Sequence, residues 1–397
     1  MFSSRLNWSF ATNRLSKVLE AKRASGVQVL DLTESNPTQA GFDYPRGKIL
    51  EALSIPASLR YEPDPSGLLA ARQAIADYYR SRGEKVTAEF IYLTASTSEG
   101  YAYLFKLLAD PGDEILVPQP SYPLFDFLAA LESVQVARYP LKYDDEFGWQ
   151  INLEALGNSI TTKTKAIILV NPNNPTGSFI KKSELAKMNE LCAEHGLALI
   201  VDEVFSDYFY SDDVQRVCNL VGNPHALTFV LSGLSKICGL PQMKLGWIHV
   251  NGPENVVAET RERLDFISDT YLSVGTPVQH AAAELLSVRH EMQRQIIERV
   301  LRNDKYLRSR SAELPSCRVL KQEGGWYAVM EISTEFFEEE FCINLLEVDN
   351  ALLHPGYFFD FQKQGFLVFS LLTSPAIFEE GVNRIISRFG KTHRNRS

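Results

Sequence analysis

Short apolar segments alternate with helical patterns through the middle of this chain. The apolar segments are Phe90–Thr94, Glu114–Pro118, Lys165–Asn171, Leu197–Asp202, Leu227–Leu231 and Leu245–Val250. Several of them are continuously apolar, which is typical of strands that are buried on both faces of a sheet. Helical periodicity fills the gaps, for example at Leu68–Arg82 and Lys182–His195. This alternation predicts an α/β fold, in which helices cover both faces of a mostly parallel sheet.

The two ends of the chain have a different pattern from the middle. In chain order they predict a helix at Asn13–Ser25, a long helix from Gln279 to about Leu307, strands at Glu323–Glu331 and Gly365–Leu372, and a closing helix at Ala376–Phe389. A chain of 397 residues is too long for one simple core. We therefore expect a large domain at residues 46–285 and a smaller α+β domain from the two chain ends, residues 1–45 and 286–397.

Composition and charge exclude several classes of protein. The formal net charge of −9 argues against a surface for nucleic acids or anionic membranes. No apolar run approaches the roughly 18 residues that a membrane-spanning helix requires, and the N-terminus lacks the pattern of a secretory signal. The five cysteines are odd in number and lack Cys-x-x-Cys spacing, which favours reduced thiols over disulfides or zinc. We expect a cytoplasmic protein without a metal site.

Polar signals follow three of the predicted strands. Asn171-Pro-Asn-Asn-Pro-Thr-Gly177 comes after one strand, Asp202 ends the next, and Ser235-Lys236 follows the third. The carboxyl ends of parallel strands meet at one edge of a sheet, so an amide, a carboxylate and a lysine are expected in one crevice. Because lysine can bond covalently to an aldehyde, this crevice can hold a cofactor.

A further polar segment, Leu93–Glu99, lies where a strand gives way to a helix. The first amides of a helix lack internal partners and carry partial positive charge, so this turn can hold a phosphate dianion. Ser96, Thr97 and Ser98 would add three hydroxyl groups. An ordinary helix cap is the alternative, since serine and threonine are common capping residues. The position of the turn before the other motifs favours phosphate binding.

From about residue 26 to about residue 390, these motifs resemble the pyridoxal-phosphate enzymes of aminotransferase fold type I, class I/II. The resemblance implies that Lys236 forms a Schiff base with pyridoxal 5'-phosphate and then shuttles a proton. It also implies that Asp202 forms a salt link to the protonated pyridine nitrogen, and that Asn174 donates to the phenolic oxygen. Tyr122 is expected to lie flat against the pyridine ring.

The resemblance further implies which residues hold the cofactor phosphate. They are Ser96, Thr97, Ser98, Ser235, Lys244 and Tyr61. Lys244 stands where the family usually has an arginine, so the charge is kept but the two-pronged guanidinium is lost. Tyr61 matches a tyrosine that reaches the phosphate from the neighbouring subunit. We therefore expect a homodimer whose site is built across the subunit interface.

The sequence departs from the family pattern at three positions. Gly233 replaces a common phosphate-binding serine, and Phe205 replaces a tyrosine that commonly assists the phenolic oxygen. Val368 stands where the family has the arginine that binds the α-carboxylate of the substrate, and no arginine lies between Arg318 and Arg384. Either another group binds that carboxylate, or the substrate carries none at this point. Both interpretations stay open.

The candidate substrate-binding residues are Ser35, Asn36, Asn174 and His354. Amides near Ser35 and Asn36, the Asn174 side chain, or a lysine or arginine from elsewhere could bind a carboxylate in place of the missing arginine. His354 is expected on the substrate side of the site. It could equally be a loop histidine that only packs against its neighbours.

The function that the resemblance implies is that of a pyridoxal-phosphate-dependent aminotransferase. It would move an amino group between an amino acid or amine and a keto acid, both small molecules, by a ping-pong mechanism. Another enzyme of the same fold, a β-elimination lyase or a decarboxylase, is the first alternative, because Lys236 and Asp202 serve all of these reactions. A non-catalytic binding protein is the second alternative, against which the intact Lys236 argues.

Overall fold

The structure is a computed structural model that describes residues 2–6, 8, 12–333 and 337–394. Its helices are α1 (Arg14–Ala24), α2 (Arg46–Leu53), α3 (Leu69–Arg80), α4 (Thr97–Leu108), α5 (Phe125–Leu131), α6 (Leu153–Ser159), α7 (Lys182–His195), α8 (Leu234–Ile237), α9 (Glu254–Tyr271), α10 (Thr276–Ser287), α11 (Arg289–Ser311), α12 (Glu338–Asp349) and α13 (Pro375–Arg394). Its strands are β1 (Leu30–Asp31), β2 (Ile91–Thr94), β3 (Glu114–Gln119), β4 (Gln135–Asp144), β5 (Gly148–Ile151), β6 (Thr164–Val170), β7 (Ala198–Asp202), β8 (Thr228–Gly233), β9 (Gly246–Asn251), β10 (Cys317–Val319), β11 (Tyr327–Ile332), β12 (Ala351–Leu352), β13 (His354–Pro355) and β14 (Phe366–Ser370). Short 3-10 helices lie at Ser4–Leu6, Pro56–Leu59, Ala88–Phe90, Pro241–Met243 and Gly356–Phe359. No helix within the described ranges has both the length and the apolarity to cross a membrane.

The central sheet has eight strands in the order β2-β9-β8-β7-β6-β3-β4-β5. Strands β4, β3, β6, β7 and β8 are parallel to one another, whereas β9 and β5 are antiparallel to their neighbours. The chain leaves β3 toward β4 on one side, and it passes from β6 to β7 and β8 on the other. The boundary between β3 and β6 is therefore a switch point, outside which ligand crevices form. The predicted mostly parallel α/β sheet is confirmed.

The continuous apolar runs are explained by the two cores that flank this sheet. In β7, Leu199 and Val201 belong to the core beside α3 and α10, whereas Ala198 and Ile200 belong to the core beside α4, α5 and α9. Alternate side chains of a strand point to opposite faces, so a strand with both faces buried has no position for a polar side chain until it ends.

A second, smaller sheet has the strand order β10-β11-β14-β13 and is antiparallel. Both chain ends contribute to the core that covers it. Leu15 of α1 and Leu32 belong to the same core as Phe369 of β14 and Phe378 of α13. In addition, β1 pairs in parallel with β12. The expectation of a smaller α+β part from the two chain ends is therefore confirmed.

One predicted helix differs in extent from the structure. The long helix expected from Gln279 to about Leu307 is divided into α10 and α11 by a turn at Val288, so the prediction of a single helix was wrong. The turn allows α10 to pack against α2 and α3, while α11 packs against α13. Apolar periodicity continues through the turn because Val288 is itself buried.

One predicted strand begins later than expected. The strand expected from Glu323 begins only at Tyr327. Before it, Gly324 forms an isolated bridge with Phe209, and a Cβ at Gly324 would lie only 2.1 Å from the Tyr208 carbonyl oxygen. This segment therefore pairs with the loop that follows Asp202 at the end of β7. The pairing connects the small sheet to that loop.

Glu338, the first residue of α12, is a buried carboxylate that holds the edge of the small sheet. Its side chain is 3% exposed. Its Oε1 accepts a hydrogen bond from the Tyr357 N–H, and its Oε2 accepts from the Gly365 and Phe366 N–H groups, each at 2.8 Å. Hydrogen bonds to a charged group stabilise a fold more than neutral ones do.

Replacing Glu338 should therefore be costly. Glu338→Ala should lower the free energy of unfolding by about 3–5 kcal/mol, because three buried or partly buried amides lose their acceptor. Urea unfolding followed by circular dichroism measures the change. The matched control is Glu347→Ala on the exposed face of the same helix, for which a change within about 0.5 kcal/mol is expected. Equal effects of the two substitutions would contradict the assigned role of Glu338.

Candidate active site

A cavity of about 310 Å³ lies beyond the carboxyl ends of β6, β7 and β8. Predicted site residues from distant parts of the chain line it. They are Ser35, Ser96, Thr97, Ser98, Tyr122, Asn174, Asp202, Ser235, Lys236 and Lys244. The fold therefore brings together the residues that the motifs identified in sequence.

The N-terminus of α4 forms one end of this cavity. Ser96 caps the helix, because its Oγ accepts a hydrogen bond from the Glu99 N–H at 3.2 Å. Thr97, Ser98 and Lys244 also line this cavity, and they contribute two hydroxyl groups and an ammonium group. A helix N-terminus that is accompanied by hydroxyl groups and a cation suits a phosphate dianion.

Two glycines lie at close contacts between β8, β9 and α4. A Cβ at Gly246 would lie 3.1 Å from both the Ser96 carbonyl carbon and Thr94 Oγ1. A Cβ at Gly233 would lie 2.9 Å from the Leu245 carbonyl oxygen. A serine at position 233 would therefore displace the neighbouring backbone, which explains this departure from the family pattern.

Asp202 ends β7, and its carboxylate lines the cavity. Its Oδ2 accepts a hydrogen bond from the Tyr101 hydroxyl at 3.2 Å, and its Oδ1 accepts from the Val204 N–H at 3.1 Å. Burial raises the pKa of Asp202 to about 6, although these hydrogen bonds and the charge of Lys236 oppose the rise. The carboxylate is therefore mostly ionised at neutral pH and can bind a cationic group.

Lys236 lies on α8, a helix of one turn that directly follows β8. Its Nζ is 5.0 Å from the ring centroid of Trp326 and 5.5 Å from that of Phe205. Burial lowers the pKa of Lys236 to about 8, although the nearby Asp202 carboxylate opposes this shift. Roughly a tenth of this amine is then neutral at pH 7, and only the neutral amine attacks an aldehyde.

The three asparagines of the Asn-Pro motif have different roles. The Asn171 side chain bonds to the Val217 carbonyl at 3.0 Å and to the Ile180 N–H at 3.1 Å. The Asn173 amide donates to the Pro120 carbonyl and to Thr176 Oγ1 within the loop. Asn174 lines the cavity, and its Oδ1 is buried without a hydrogen-bond partner. Asn174 is therefore the asparagine that is left to bind a ligand.

Aromatic side chains form much of the remaining wall. Tyr122 follows β3 and is 46% exposed. Phe205 packs edge-on against Trp326, with ring centroids 5.1 Å apart, and Tyr327 follows at 6.5 Å from Phe205. This apolar wall beside Lys236 is the reason that the ammonium form of Lys236 is poorly solvated.

Three predicted residues do not line the cavity. Tyr61 is 73% exposed on the protein surface. Asn36 closes a local turn, because its Oδ1 accepts from the N–H and the hydroxyl of Thr38 at 3.0 and 2.8 Å. His354 packs edge-on against Phe358 with ring centroids 5.3 Å apart, and burial lowers the pKa of His354 to about 4. His354 therefore packs against an aromatic ring in this structure, and its role in substrate binding stays a prediction.

Tyr101 and Tyr327 also line the cavity, but sequence analysis did not identify them. Tyr101 lies one helical turn after Thr97 on α4, so helical periodicity places both on one face and could have identified it. Tyr327 is opposite Ser370 in the small sheet. That pairing depends on a strand register that the sequence pattern does not reveal.

Val368 lies opposite Val329 in the small sheet and is completely buried. Tyr327 is on the same face as Val329, two residues along β11, and it lines the cavity. Position 368, where the resemblance implies an arginine, therefore lies on the cavity side of the sheet, although Val368 itself does not line the cavity. Within the described part of the chain, Lys236 and Lys244 are the only cationic residues that line the cavity.

The residues present fit pyridoxal 5'-phosphate. Lys236 can bond to its aldehyde, Asp202 can bind a protonated ring nitrogen, and Asn174 has unused hydrogen-bonding capacity. The N-terminus of α4 with Lys244 can bind its phosphate. All of these groups line a single cavity.

Comparisons with known proteins point to the same chemistry. The sequence model of the family described as aminotransferase class I and II matches residues 27–385. A glutamate-pyruvate aminotransferase of Escherichia coli is 29% identical over 386 residues, which cover 94% of this chain and 92% of that protein. An S-alkyl-thiohydroximate lyase of Arabidopsis thaliana is 29% identical over 313 residues, which cover 73% of this chain and 64% of that protein.

A solved structure is similar over almost the whole chain. The alanine aminotransferase of Pyrococcus furiosus superposes with a TM-score of 0.88 at 27% identity, covering 98% of this chain and all of that one. The family match extends from the N-terminal segment to the last helix. The chain therefore belongs to the aminotransferase class I and II family and is a pyridoxal-phosphate-dependent aminotransferase.

Proposed function

We propose that Lys236 carries the cofactor covalently and that the protein transfers an amino group from a small-molecule donor to a keto acid in two half-reactions. The single observation that carries this proposal is the presence of Lys236, Asp202 and Asn174 in one cavity. When bound, pyridoxal 5'-phosphate supplies an aldehyde for amines and a ring that delocalises an electron pair from the amine-bearing carbon.

The residues around the ring would each control a proton. Asp202, with its pKa raised only to about 6, would keep a proton on the ring nitrogen at neutral pH. Lys236, once a donor amine has displaced it, would accept a proton from the amine-bearing carbon and return it during transfer. Its pKa, lowered to about 8, suits both directions of that transfer near neutral pH.

We propose a homodimer in which Tyr61 completes the phosphate site of the neighbouring subunit. Tyr61 is too exposed to serve the cavity of its own chain. Large apolar side chains are also exposed on this chain at Leu50, Leu59, Leu69, Phe266 and Tyr271. Exposed apolar side chains favour association with another protein surface when they share one face. The cytoplasm is the proposed location, which is supported by five cysteines that form no disulfide.

The donor that we propose carries no carboxylate on its amine-bearing carbon. Lys236 and Lys244 are the only cations that line the cavity in the described chain, and the proposal already gives each of them a role. A substrate carboxylate beside Phe205 and Tyr327 would therefore be buried without a cation from its own chain, which is costly. The names of the relatives favour glutamate or alanine as donor instead, so both classes must be tested.

A β-elimination lyase is the second candidate, because one similar protein is named as a lyase. Lys236 and Asp202 would serve that reaction equally well. Product analysis separates the two functions, since elimination releases ammonia and transfer does not.

The proposed function predicts a single labelled lysine. Protein loaded with pyridoxal 5'-phosphate, reduced with borohydride and digested, should carry the cofactor on Lys236 in peptide mass analysis. Incubation with an amine donor and a keto acid should form a new amino product without ammonia, and Lys236→Ala should abolish it. Label on a different lysine would refute the assignment.

The lowered pKa of Lys236 predicts a distinct pH dependence of cofactor uptake. The rate at which the apoprotein combines with pyridoxal 5'-phosphate should rise with pH around a midpoint near 8, because the neutral amine is the nucleophile. Stopped-flow absorbance measures this rate. An N-acetylated lysine amide is the control, with an expected midpoint of about 10.4. The same midpoint for protein and control would contradict the burial of Lys236.

Asp202 should be needed for turnover more than for cofactor binding. Asp202→Asn should retain the cofactor but lower kcat by roughly two orders of magnitude, because a neutral amide does not hold the ring-nitrogen proton. Steady-state kinetics and absorbance at a fixed cofactor concentration measure the two effects. Asp110→Asn, at an exposed position, is the matched control. Turnover like that of the wild type would leave Asp202 a structural role only.

Val368 should control the use of carboxylated donors. The wild type should convert 2-phenylethylamine faster than L-phenylalanine, and it should saturate poorly with glutamate and alanine. Val368→Arg should improve kcat/KM for at least one amino acid by about tenfold or more, because a buried carboxylate gains a partner. Val368→Leu controls for added bulk, and near-UV circular dichroism checks folding. Saturation of the wild type by glutamate or alanine at low-millimolar concentration would refute the proposed donor class.

A further inference from the structure

The short helix that carries Lys236 receives hydrogen bonds on its last carbonyl groups from distant parts of the fold. Helix α8 has only four residues, and the final carbonyls of any helix have no partner within the helix. Side chains from elsewhere in the fold add donors to those of the local backbone. The Lys236 carbonyl accepts from the Gly239 N–H at 3.3 Å and, at the shorter distance of 2.6 Å, from the Tyr208 hydroxyl. The Ile237 carbonyl accepts from Gln293 Nε2 at 3.0 Å. A third carbonyl, that of Gly239, accepts from the Tyr44 hydroxyl at 2.6 Å.

The donors come from separate parts of the chain. Tyr208 lies in the loop after β7 and is completely buried, whereas Gln293 lies on α11. Tyr44 lies just before α2 and is half-buried. None of these three side chains lines the cavity of about 310 Å³ within the described chain. They contact the backbone behind the lysine, not the space where a ligand would bind.

The orientation of the Gln293 amide is determined by its partners. One hydrogen of Nε2 points to the Ile237 carbonyl, and the other points to Asp207 Oδ2 at 2.7 Å. Both partners are acceptors, so the reversed amide would place its oxygen against two other oxygens. Asp207 therefore fixes which end of Gln293 faces α8.

Asp207 is itself held by a buried cluster. It pairs with Arg82 at 2.7 Å, and both of its carboxylate oxygens accept from the Tyr78 hydroxyl at 3.1 Å. Tyr78 is 3% exposed, and Arg82 is largely buried against Tyr78. The cluster connects α3 and the residues that follow it to the loop after β7. The positive charge of Arg82 is paired with the negative charge of Asp207, and this pairing offsets the cost of burying both charges.

We propose that Tyr208 and Gln293 are positioning residues for the Lys236 amine. By holding the carbonyls of residues 236 and 237, they fix the short stretch of backbone from which the lysine side chain extends. The flexible lysine side chain then starts from one defined point, so its amine reaches the reacting carbon and the cofactor aldehyde from a constant direction. This inference rests on the proposed covalent role of Lys236.

The test uses substitutions that remove one donor and keep the shape. Tyr208→Phe and Gln293→Met are compared with the wild type in the full, cofactor-loaded protein. Tyr306→Phe is the matched control, because it also removes one hydroxyl hydrogen bond, to Asn383 Oδ1 at 2.9 Å, but lies in the part of the fold that the chain ends form. The donor amine is 2-phenylethylamine, and whichever of glutamate or alanine reacts is used alongside it.

A positioning role predicts that kcat falls while the KM of the donor changes little. Each test variant should lower kcat about tenfold or more while the KM of the donor stays within about twofold, because a misplaced catalytic group slows the chemical step without weakening binding. The apoprotein of each variant should also combine with pyridoxal 5'-phosphate more slowly than the wild type. Tyr306→Phe should change neither rate. Thermal unfolding is recorded so that all rates are compared well below each melting temperature.

The outcomes distinguish this inference from the proposed function. If the wild type shows no visible band from a lysine–cofactor bond, the proposed function itself is refuted. If the wild type shows that band, and both folded test variants match Tyr306→Phe in kcat and in cofactor uptake, the positioning role is refuted. If Gln293→Met does not fold, Tyr208→Phe decides the question alone.

Discussion

The enclosure of an amine and a carboxylate in one cavity is the interaction on which the site depends. Burial lowers the pKa of Lys236 to about 8 and raises that of Asp202 to about 6, so each group is moved toward neutral pH. Their mutual attraction limits both shifts, because each charge stabilises the other. Water would cancel this effect, so the aromatic wall at Phe205 and Trp326 contributes to the chemistry by excluding it.

The central sheet determines where such a pair can be placed. A strand with both faces buried, such as β7, admits a carboxylate only where it ends, and Asp202 is its last residue. Helix α8 begins at the end of β8, the strand that pairs with β7. Lys236 on α8 therefore lies beside Asp202, the last residue of β7. The switch point between β3 and β6 opens the crevice that both groups line. The fold thus creates the site without a long loop of its own.

Sequence analysis predicted the place of residues whose position in the fold follows from the local sequence. Asp202 and Lys236 could be placed at the cavity because each lies at the carboxyl end of a buried strand, and Asn174 because it lies in a specific motif. Tyr327 and Gln293 could not, because their roles depend on sheet register and on how α11 crosses the fold. For the same reason the sequence could not show that His354 packs against Phe358 and Phe359, and its role in substrate binding stays a prediction. The helix break at Val288 was hidden because a buried valine continues the apolar pattern.

The small sheet places an apolar side chain at position 368, where the resemblance to the family implies an arginine. Val368 and Val329 are paired on the face that presents Tyr327 to the cavity. An arginine at position 368 would need a carboxylate or solvent to balance it, and the directly paired residues Val329 and His354 offer neither. A valine there belongs to the buried apolar core of the small sheet. The same core includes Phe205 and Trp326 beside Lys236, so a valine at position 368 preserves the low-polarity surroundings that lower the pKa of Lys236.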